Sequence, residues 1–521
     1  MAQQKSEDRV VLQGGVMPAE PVGPSARGRG KTVPVEEEAQ QLRLPIATAE
    51  DSRESARLVA SNLSGTGQAG VPQAVVKDEK SAPVTMEEVT KRLDSALAKV
   101  ASNKGAPGPD GQTIEMLREQ WPVASRKLCA ALLDRSYRPG EIRRAMIPKA
   151  GGGLRGLGIP NVVDRVVQEA IRQVLEPVYE PTFSPSSHGF RPGRSCHTAV
   201  AEASEHLKDG YGWVVDIDLE KFFDRVHHQR LMASLAQRVS DRRLLVLIGR
   251  VLKARVLLPD GVVIGIDEGV PQGSPLSPLL SNVVLDELDR ELARRGHRFV
   301  RYADDANVYV RSERAGLRVM ASLQRFIHGR MRLRVNQHKS AVARPEDRHF
   351  LGFSLRLDPQ DGTVEVLLSE RTKRHAMARI RQLTPRNWGG SLDRCITRIN
   401  VWLRGWHQFF GIASAGEEYT LRALDAHIRR RLRAIVLRHW KRRATIARHL
   451  VALGVRRHAA WRGVYAGRKS WWALSHDPVV DRGLRNTFFA QHGLNALVAL
   501  HRRAHEDIVA PTQPQLALEW G

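Results

Sequence analysis

The chain has 521 residues, with 81 Lys+Arg against 56 Asp+Glu and a formal net charge of +25. So basic a protein, long enough for several domains, meets polyanions by default, nucleic acid first. No apolar run approaches the length of a membrane span, no signal-peptide core opens the chain, and Cys129, Cys196 and Cys395 form no CxxC pair. These features argue against a membrane protein, a zinc ribbon and a disulfide framework, and for reduced thiols in a cytoplasmic protein.

Residues 1–84 are rich in Gly, Pro, Ser, Ala, Gln and Glu, without sustained period or aromatic residue, and read as a disordered extension. Within it, Arg27, Arg29 and Lys31 are candidates for touching RNA, though a tolerated extension is the preferred reading. A capping-box-like start at Thr85 predicts a helix to about Ala101, followed by the Gly/Pro loop Asn103 to Gly111. Residues 142–160, IRRAMIPKAGGGLRGLGIP, read as a basic β-hairpin, and Asn161 to Tyr179 as an amphipathic helix. SSHGFRPGRSCHTAV (186–200) is a Gly/Pro turn leading into a helix near Ser195.

In WVVDIDLEKFFD (213–224) a buried strand ends at Asp216 and Asp218. GVPQGSPLSPLLSN (269–282) is a Pro/Gly turn that opens a helix near Ser277. RFVRYADDANVYV (298–310) reads as two short strands joined by a tight turn with Asp304 and Asp305 at its tip. Adjacent acids repel unless a cation neutralises them. Taken alone, the pair is more often a solvated acidic turn. Beside a second acid-tipped strand it becomes the arrangement of two-metal phosphoryl transfer, where ions about 4 Å apart serve the attacking and leaving oxygens. Magnesium suits such a site, since it takes one or two carboxylates plus phosphate oxygens.

Beyond a short strand at Val364–Leu368 the chain reads as helical. Residues 371–521 hold 28 Lys+Arg against 9 Asp+Glu, a net of +19, whereas residues 1–80 hold 10 against 11. Leu392, Ile396, Ile399 and Leu403 follow the helical period while Arg394, Arg398 and Arg404 take other faces. HIRRRLRAIVLRHWKRR (427–443) reads as one Arg-studded helix, and residues after about Glu506 as a Pro/Gln tail.

The tetrad Tyr302-Ala303-Asp304-Asp305 resembles the catalytic signature of reverse transcriptases. With HGFRPGRS, DLEKFFD and PQGSPLSP before it in family order, the chain is similar to the proteins encoded by bacterial group II introns over roughly residues 85–505. The resemblance implies an α+β right-hand polymerase, with fingers and palm at 85–365 built on antiparallel sheet. A helical thumb/maturase domain at 366–450 and a C-terminal helical, DNA-binding-like region and tail at 451–521 would follow. It assigns two Mg²⁺ to Asp218, Asp304 and Asp305, with the backbone of Ile217 close by. The spacing to the aromatic five residues on selects Asp218 over Asp216.

The same resemblance implies that Lys149 and Arg155 contact the triphosphate, that Phe223 lies under the sugar and excludes a 2′-OH, and that Gln272 and Gly273 pack on the nucleotide. Lys339, expected after a strand, would protonate the leaving pyrophosphate. The family usually has Arg-Pro-Leu-Gly in the hairpin, where this chain has Arg155-Gly156-Leu157-Gly158. Arg191, Arg194, Arg394, Arg398, Arg404, Arg430, Arg431, Lys441 and Arg442 are the expected RNA contacts. Trp471, Trp472, Asn486, Phe488 and Gly493-Leu494 resemble the family's C-terminal pattern, associated there with DNA target contact.

The implied partners are group II intron RNA, a DNA target or primer and dNTPs, in a nucleoid-associated ribonucleoprotein; the oligomeric state is open, a homodimer included. Many family members end in an HNH endonuclease with paired cysteines. This sequence shows neither the pairs nor an HNH-like cluster, which implies priming on a nascent DNA end or on a strand cut by the intron RNA. Two rival readings stand: an RNA-binding splicing factor with an idle polymerase site, and a domesticated reverse transcriptase serving repair or phage defence.

Overall fold

One four-stranded antiparallel sheet is buried on both faces along Trp213–Asp218, Arg298–Tyr302 and Asp305–Val310; its order is β6-β7-β3-β8. Its strands are β3 (Trp213–Asp218), β6 (Arg298–Tyr302), β7 (Asp305–Val310) and β8 (Ala341–Ala343). Val215, Ile217, Phe299, Ala306 and Val308 enter one apolar core, and Val214, Val300 and Tyr309 enter another. A two-residue side-chain period thus lets one sheet serve two cores. The computed structural model describes residues 84–148, 153–467 and 470–509. The disordered extension expected over residues 1–84, with Arg27, Arg29 and Lys31, falls on residues 1–83 but for Val84. The Pro/Gln tail expected after about Glu506 falls on residues 510–521, except where helix Leu497–Val509 runs past Glu506. Residues 1–83 and 510–521, and Lys149, lie outside the described residues.

The first core gathers the helices Met86–Lys91, Leu93–Ser102, Ile114–Leu133, Val162–Tyr179 and Ser277–Arg294 against the sheet. Thr85 caps the first of them by accepting from the Glu88 amide at 3.3 Å. The expected single helix to Ala101 is two helices, broken at Arg92. The basic hairpin pairs β1 (Ile142–Pro148) with β2 (Leu154–Ile159) from Arg143↔Ile159 to Pro148↔Leu154. It belongs to a second sheet, β2-β1-β4-β5, with β4 (Val256–Leu257) and β5 (Val263–Ile264). The β1–β4 pairing is parallel, so the strands expected to be antiparallel include one short parallel contact. A Cβ on Gly156 would lie 2.5 Å from the Arg144 Nε, so the guanidinium fills the space a larger residue would occupy.

The second core joins helix Cys196–Lys208 and the β9 (Phe353–Leu357)/β10 (Val364–Leu368) ribbon to the C-terminal helices. Ser195 caps Cys196–Lys208 with a reciprocal box through Thr198. Two expectations need correction here. The Arg-studded helix does not run to 443: Glu418–Trp440 ends at Lys441, whose φ is +58°, and Arg443–Ala452 starts a new helix. Such a backbone is strained for an L-residue and stops the helix. Lys339 does not follow a strand; it sits in a turn ahead of β8, where Lys339 and Ser340 amides donate to the Asn336 carbonyl at 3.2 and 2.9 Å.

Candidate active site

Register brings the acids together. Asp218 is opposite Asp305 and Asp216 is opposite Asn307 across β3 and β7, so all four side chains share one face of the sheet. The β6–β7 hairpin closes at Tyr302↔Asp305, leaving Ala303 and Asp304 as its two turn residues. Ala303 has φ +57°, as a tight hairpin turn requires of a central residue.

The turn is held from behind by Arg301, which is fully buried. Its Nε and Nη2 donate to the two Asp289 carboxylate oxygens at 2.7 and 2.6 Å, in a pair with no solvent exposure on either side. Nη1 donates to Asn282 Oδ1 at 3.1 Å and to the Ala303 carbonyl at 2.8 Å, and Nη2 also to Ser187 Oγ at 2.7 Å. All five guanidinium donors are satisfied, as burial of this charge demands. Sequence reasoning passed over this residue. Its signal was an arginine at an inward position of an apolar strand, with Asp289 on a buried helix face to receive it.

HGFRPGRS is the other brace. The His188 amide donates to the Arg301 carbonyl at 2.8 Å and the Arg301 amide to the Ser186 carbonyl at 2.9 Å. A Cβ on Gly189 would lie 2.2 Å from the Ala303 nitrogen, so only glycine fits against the turn. His188 is locked between Thr198 Oγ1 at 2.8 Å and Glu202 Oε2 at 2.7 Å.

The carboxylates sit at an electrostatic cost. Burial first, then Asp216, Asp304 and Asp218, push the Asp305 carboxyl well above the usual range. Burial chiefly, with Asp218, raises Asp304, while Arg155 and Lys339 act the other way. Burial also raises Asp216, which is held by the guanidinium of Arg348, Nε to Oδ2 at 2.8 Å. Asp216 thus has a cation of its own, whereas Asp304 and Asp305 have none within hydrogen-bond reach among the described residues. Lys339 Nζ is 3.2 and 3.4 Å from the Asp218 oxygens, and Ser340 Oγ accepts from the Asp218 amide at 2.9 Å.

Among the described residues no group of three or more His, Cys, Asp or Glu side chains could hold a metal ion unaided. A divalent cation at this corner would need phosphate oxygens and water to complete its shell. The donor set fits: raised, crowded carboxylates are what an added divalent cation relieves, and the buried Ile217 brings its backbone alongside them.

Around the acids, the PQG turn is docked on the hairpin. The Gly158 amide donates to the Gln272 carbonyl at 2.7 Å, and Gly273, φ +106°, would clash with the Gly158 carbonyl through any Cβ. Gln272 is half-buried and Arg155 exposed. Phe223 is half-buried beside the buried Phe222, rings 5.3 Å apart, and its carbonyl accepts from the Val270 amide at 2.7 Å.

The expected RNA contacts divide. Arg394, Arg398, Arg404, Lys441 and Arg442 are exposed, and Arg194 is half-buried. Arg430 is half-buried with its guanidinium 4.2 Å over the Trp472 ring. Arg191 and Arg431 are corrected: neither is free for phosphate. Arg191 donates through Nε to both Glu180 oxygens, at 2.9 and 3.1 Å, and through Nη1 to the Ser187 carbonyl at 2.8 Å. Arg431 is 7% exposed and donates to Thr384 Oγ1 at 2.6 Å and the Arg381 carbonyl at 3.3 Å, tying down the end of helix Glu370–Leu383. Carboxylate, hydroxyl and carbonyl acceptors of the protein itself thus take up both side chains.

Comparison with known proteins gives two matching families. The family Reverse transcriptase (RNA-dependent DNA polymerase) matches residues 147–355, and the Group II intron, maturase-specific domain matches residues 373–464. Protein YkfC of Escherichia coli (strain K12) is 33% identical over 351 residues, covering 59% of this chain and 89% of YkfC. Group II intron-encoded protein LtrA of Lactococcus lactis subsp. cremoris is 29% identical over 338 residues, 52% of this chain and 55% of LtrA. The chain therefore spans most of one relative and about half of the other. A solved partial Cas6-RT-Cas1–Cas2 complex is similar at 24% identity and a TM-score of 0.32, over 51% of this chain and 46% of that one. No helix among the described residues is long and apolar enough to cross a membrane. An α+β polymerase domain with three aspartates at one sheet corner, followed by a maturase-specific domain, makes this chain a member of the group II intron reverse transcriptase/maturase family, an RNA-directed DNA polymerase whose partners are nucleic acids.

Proposed function

We propose that the chain binds a group II intron RNA, assists its splicing, and copies it into cDNA from a primer at a DNA target. The observation that carries the polymerase part is the hairpin that sets Asp304 and Asp305 against Asp218 at a raised electrostatic cost. In this reading residues 85–365 are fingers and palm, 366–450 the thumb and maturase domain, and 451–509 the described part of a DNA-facing region. Asp218, Asp304, Asp305 and the backbone of Ile217 would hold two Mg²⁺, which would supply charge neutralisation between the primer 3′-OH and the dNTP α-phosphate.

The chain's own groups do the rest. Arg155, with Lys149, steadies the triphosphate from the hairpin. Gln272 and Gly273, fastened to that hairpin through Gly158, form the wall on which the nucleotide packs. Phe223 closes the floor under the sugar and disfavours a 2′-OH. Lys339 passes from Asp218 to the leaving pyrophosphate and gives it a proton. Arg194, Arg394, Arg398, Arg404, Arg430, Lys441 and Arg442 contact nucleic-acid phosphates and make binding salt-dependent.

The test is dNTP incorporation on poly(rA)/oligo(dT) with Mg²⁺, comparing wild type with Asp304→Ala plus Asp305→Ala. RNA binding by both proteins is recorded in parallel. Extension by wild type alone, with RNA binding intact in both, is the expected result. Binding without extension by either protein would leave an RNA-folding cofactor on an idle polymerase fold.

A further inference from the structure

At the end of the sheet opposite the carboxylates is a cavity of about 540 Å³. Four separate segments bring cationic or aromatic side chains to it: Tyr211 ahead of β3, Arg298 at the start of β6, Arg311 just after β7, and Arg318 on helix Glu313–Phe326. Arg295 lines it too, already paired with Glu291 at 2.7 Å and bonded to Ser322 Oγ at 2.8 Å. Arg298, Arg311 and Arg318 are exposed, and among the described residues no carboxylate pairs with them. The Arg311 guanidinium lies 5.0 Å from the Tyr211 ring centroid.

Three uncompensated guanidiniums facing one concavity repel each other, and an anion placed among them relieves that repulsion. Their forked donors match phosphate oxygens, and the Arg311–Tyr211 stack offers a flat cationic face to a base. The volume suits a nucleotide, within the roughly 300–1,000 Å³ of small-ligand sites. At roughly 3.3 Å per residue, β3 and β7 separate the cavity from the acids by about 17 Å, too far for one nucleotide to reach both.

We propose that this cavity is a second RNA-binding site, distinct from the polymerase corner and from the basic C-terminal helices. It grips one phosphate-bearing nucleotide of the structured RNA. The inference rests on the reading of the chain as an intron RNA binder, and its chemistry is shared by free nucleotides, so the test separates the two.

The variant is Arg298→Ser, Arg311→Ser and Arg318→Ser together, in the full chain. The probes are a group II intron transcript, the same transcript carrying 4-thiouridine, and AMP. The expected result is a loss of transcript affinity of about 10-fold or more, with the salt dependence of log K shallower by about 0.7–0.9, as one lost phosphate contact gives. The 4-thiouridine crosslink to the peptide spanning 295–322 disappears, while melting and poly(rA)/oligo(dT) extension stay at wild-type values. Unchanged affinity and crosslinking overturn the inference. So does AMP binding that is lost in the variant while transcript affinity holds, which makes the ligand a free nucleotide. A wild type that binds no transcript sinks the maturase reading and this inference with it, an outcome distinct from either.

Discussion

At the C-terminal end of β3 the chain crowds three acids onto one sheet corner, each on a short side chain whose position follows from backbone register. In the helical third the charges are of the other sign and ride on long arginines. Some face solvent, as Arg394 and Arg398 do. Others turn inward to carbonyls, as Arg431 does to Thr384 at 3.1 Å and Arg433 to Leu484 at 3.0 Å. Short acids fixed by register are held close together and carry a stability cost. Long cations are placed by whichever acceptor is nearest, so residue type alone does not say which of them meets RNA.

The sharpest way to break this contrast is behind the turn. Arg301→Met leaves Asp289 buried without its partner and is expected to cost about 3–5 kcal/mol, measured by chemical denaturation, with primer extension lost alongside. If stability holds, the corner is not organised from behind. Gly189→Ala pushes a methyl into the Ala303 nitrogen and shifts the acids without removing any. Extension is expected to fall roughly 10²-fold while transcript affinity in filter binding stays within a factor of two or so.

The arginines give the next test. Arg394→Ser with Arg398→Ser should make the salt dependence of RNA binding shallower by about 0.7–0.9 per contact, with an unchanged melt. Arg191→Ala and Arg431→Ala should do the reverse: a loss of roughly 1–3 kcal/mol and the wild-type salt slope. Equal behaviour of the two pairs would erase the distinction between inward and outward cations. The smallest effect is Ala303→Gly, which relieves the left-handed backbone and should raise stability by up to about 1 kcal/mol, read from the same denaturation curves.

Much of the corner was legible in the sequence because its information is local. Alternation through Phe299, Tyr302, Val308 and Val310 marks two strands, and the strand at Val364–Leu368 was set with its bounds. What escaped is set by tertiary contact. No local pattern says that Arg301 reaches Asp289, that Arg348 claims Asp216, or that Gly189 lies against Ala303. The break at Lys441 escaped for a similar reason, since the Arg-rich run keeps its helical propensity through the very residue where the backbone turns.

The central claim is that Asp305 is held where its charge is costly so that a cation can use it. Burial and neighbouring acids raise its folded pKa. Stability is therefore full below the ordinary carboxylate range and is lost as pH rises toward the folded value. The decisive measurement is the metal-free melting temperature of Asp305→Asn beside wild type between pH 4 and pH 8, with primer extension on the same preparations. The account predicts a variant that melts about 2–4 °C higher near neutral pH, an advantage that shrinks toward pH 4, and no extension with Mg²⁺. A variant that melts no higher than wild type at neutral pH and still extends the primer would contradict it.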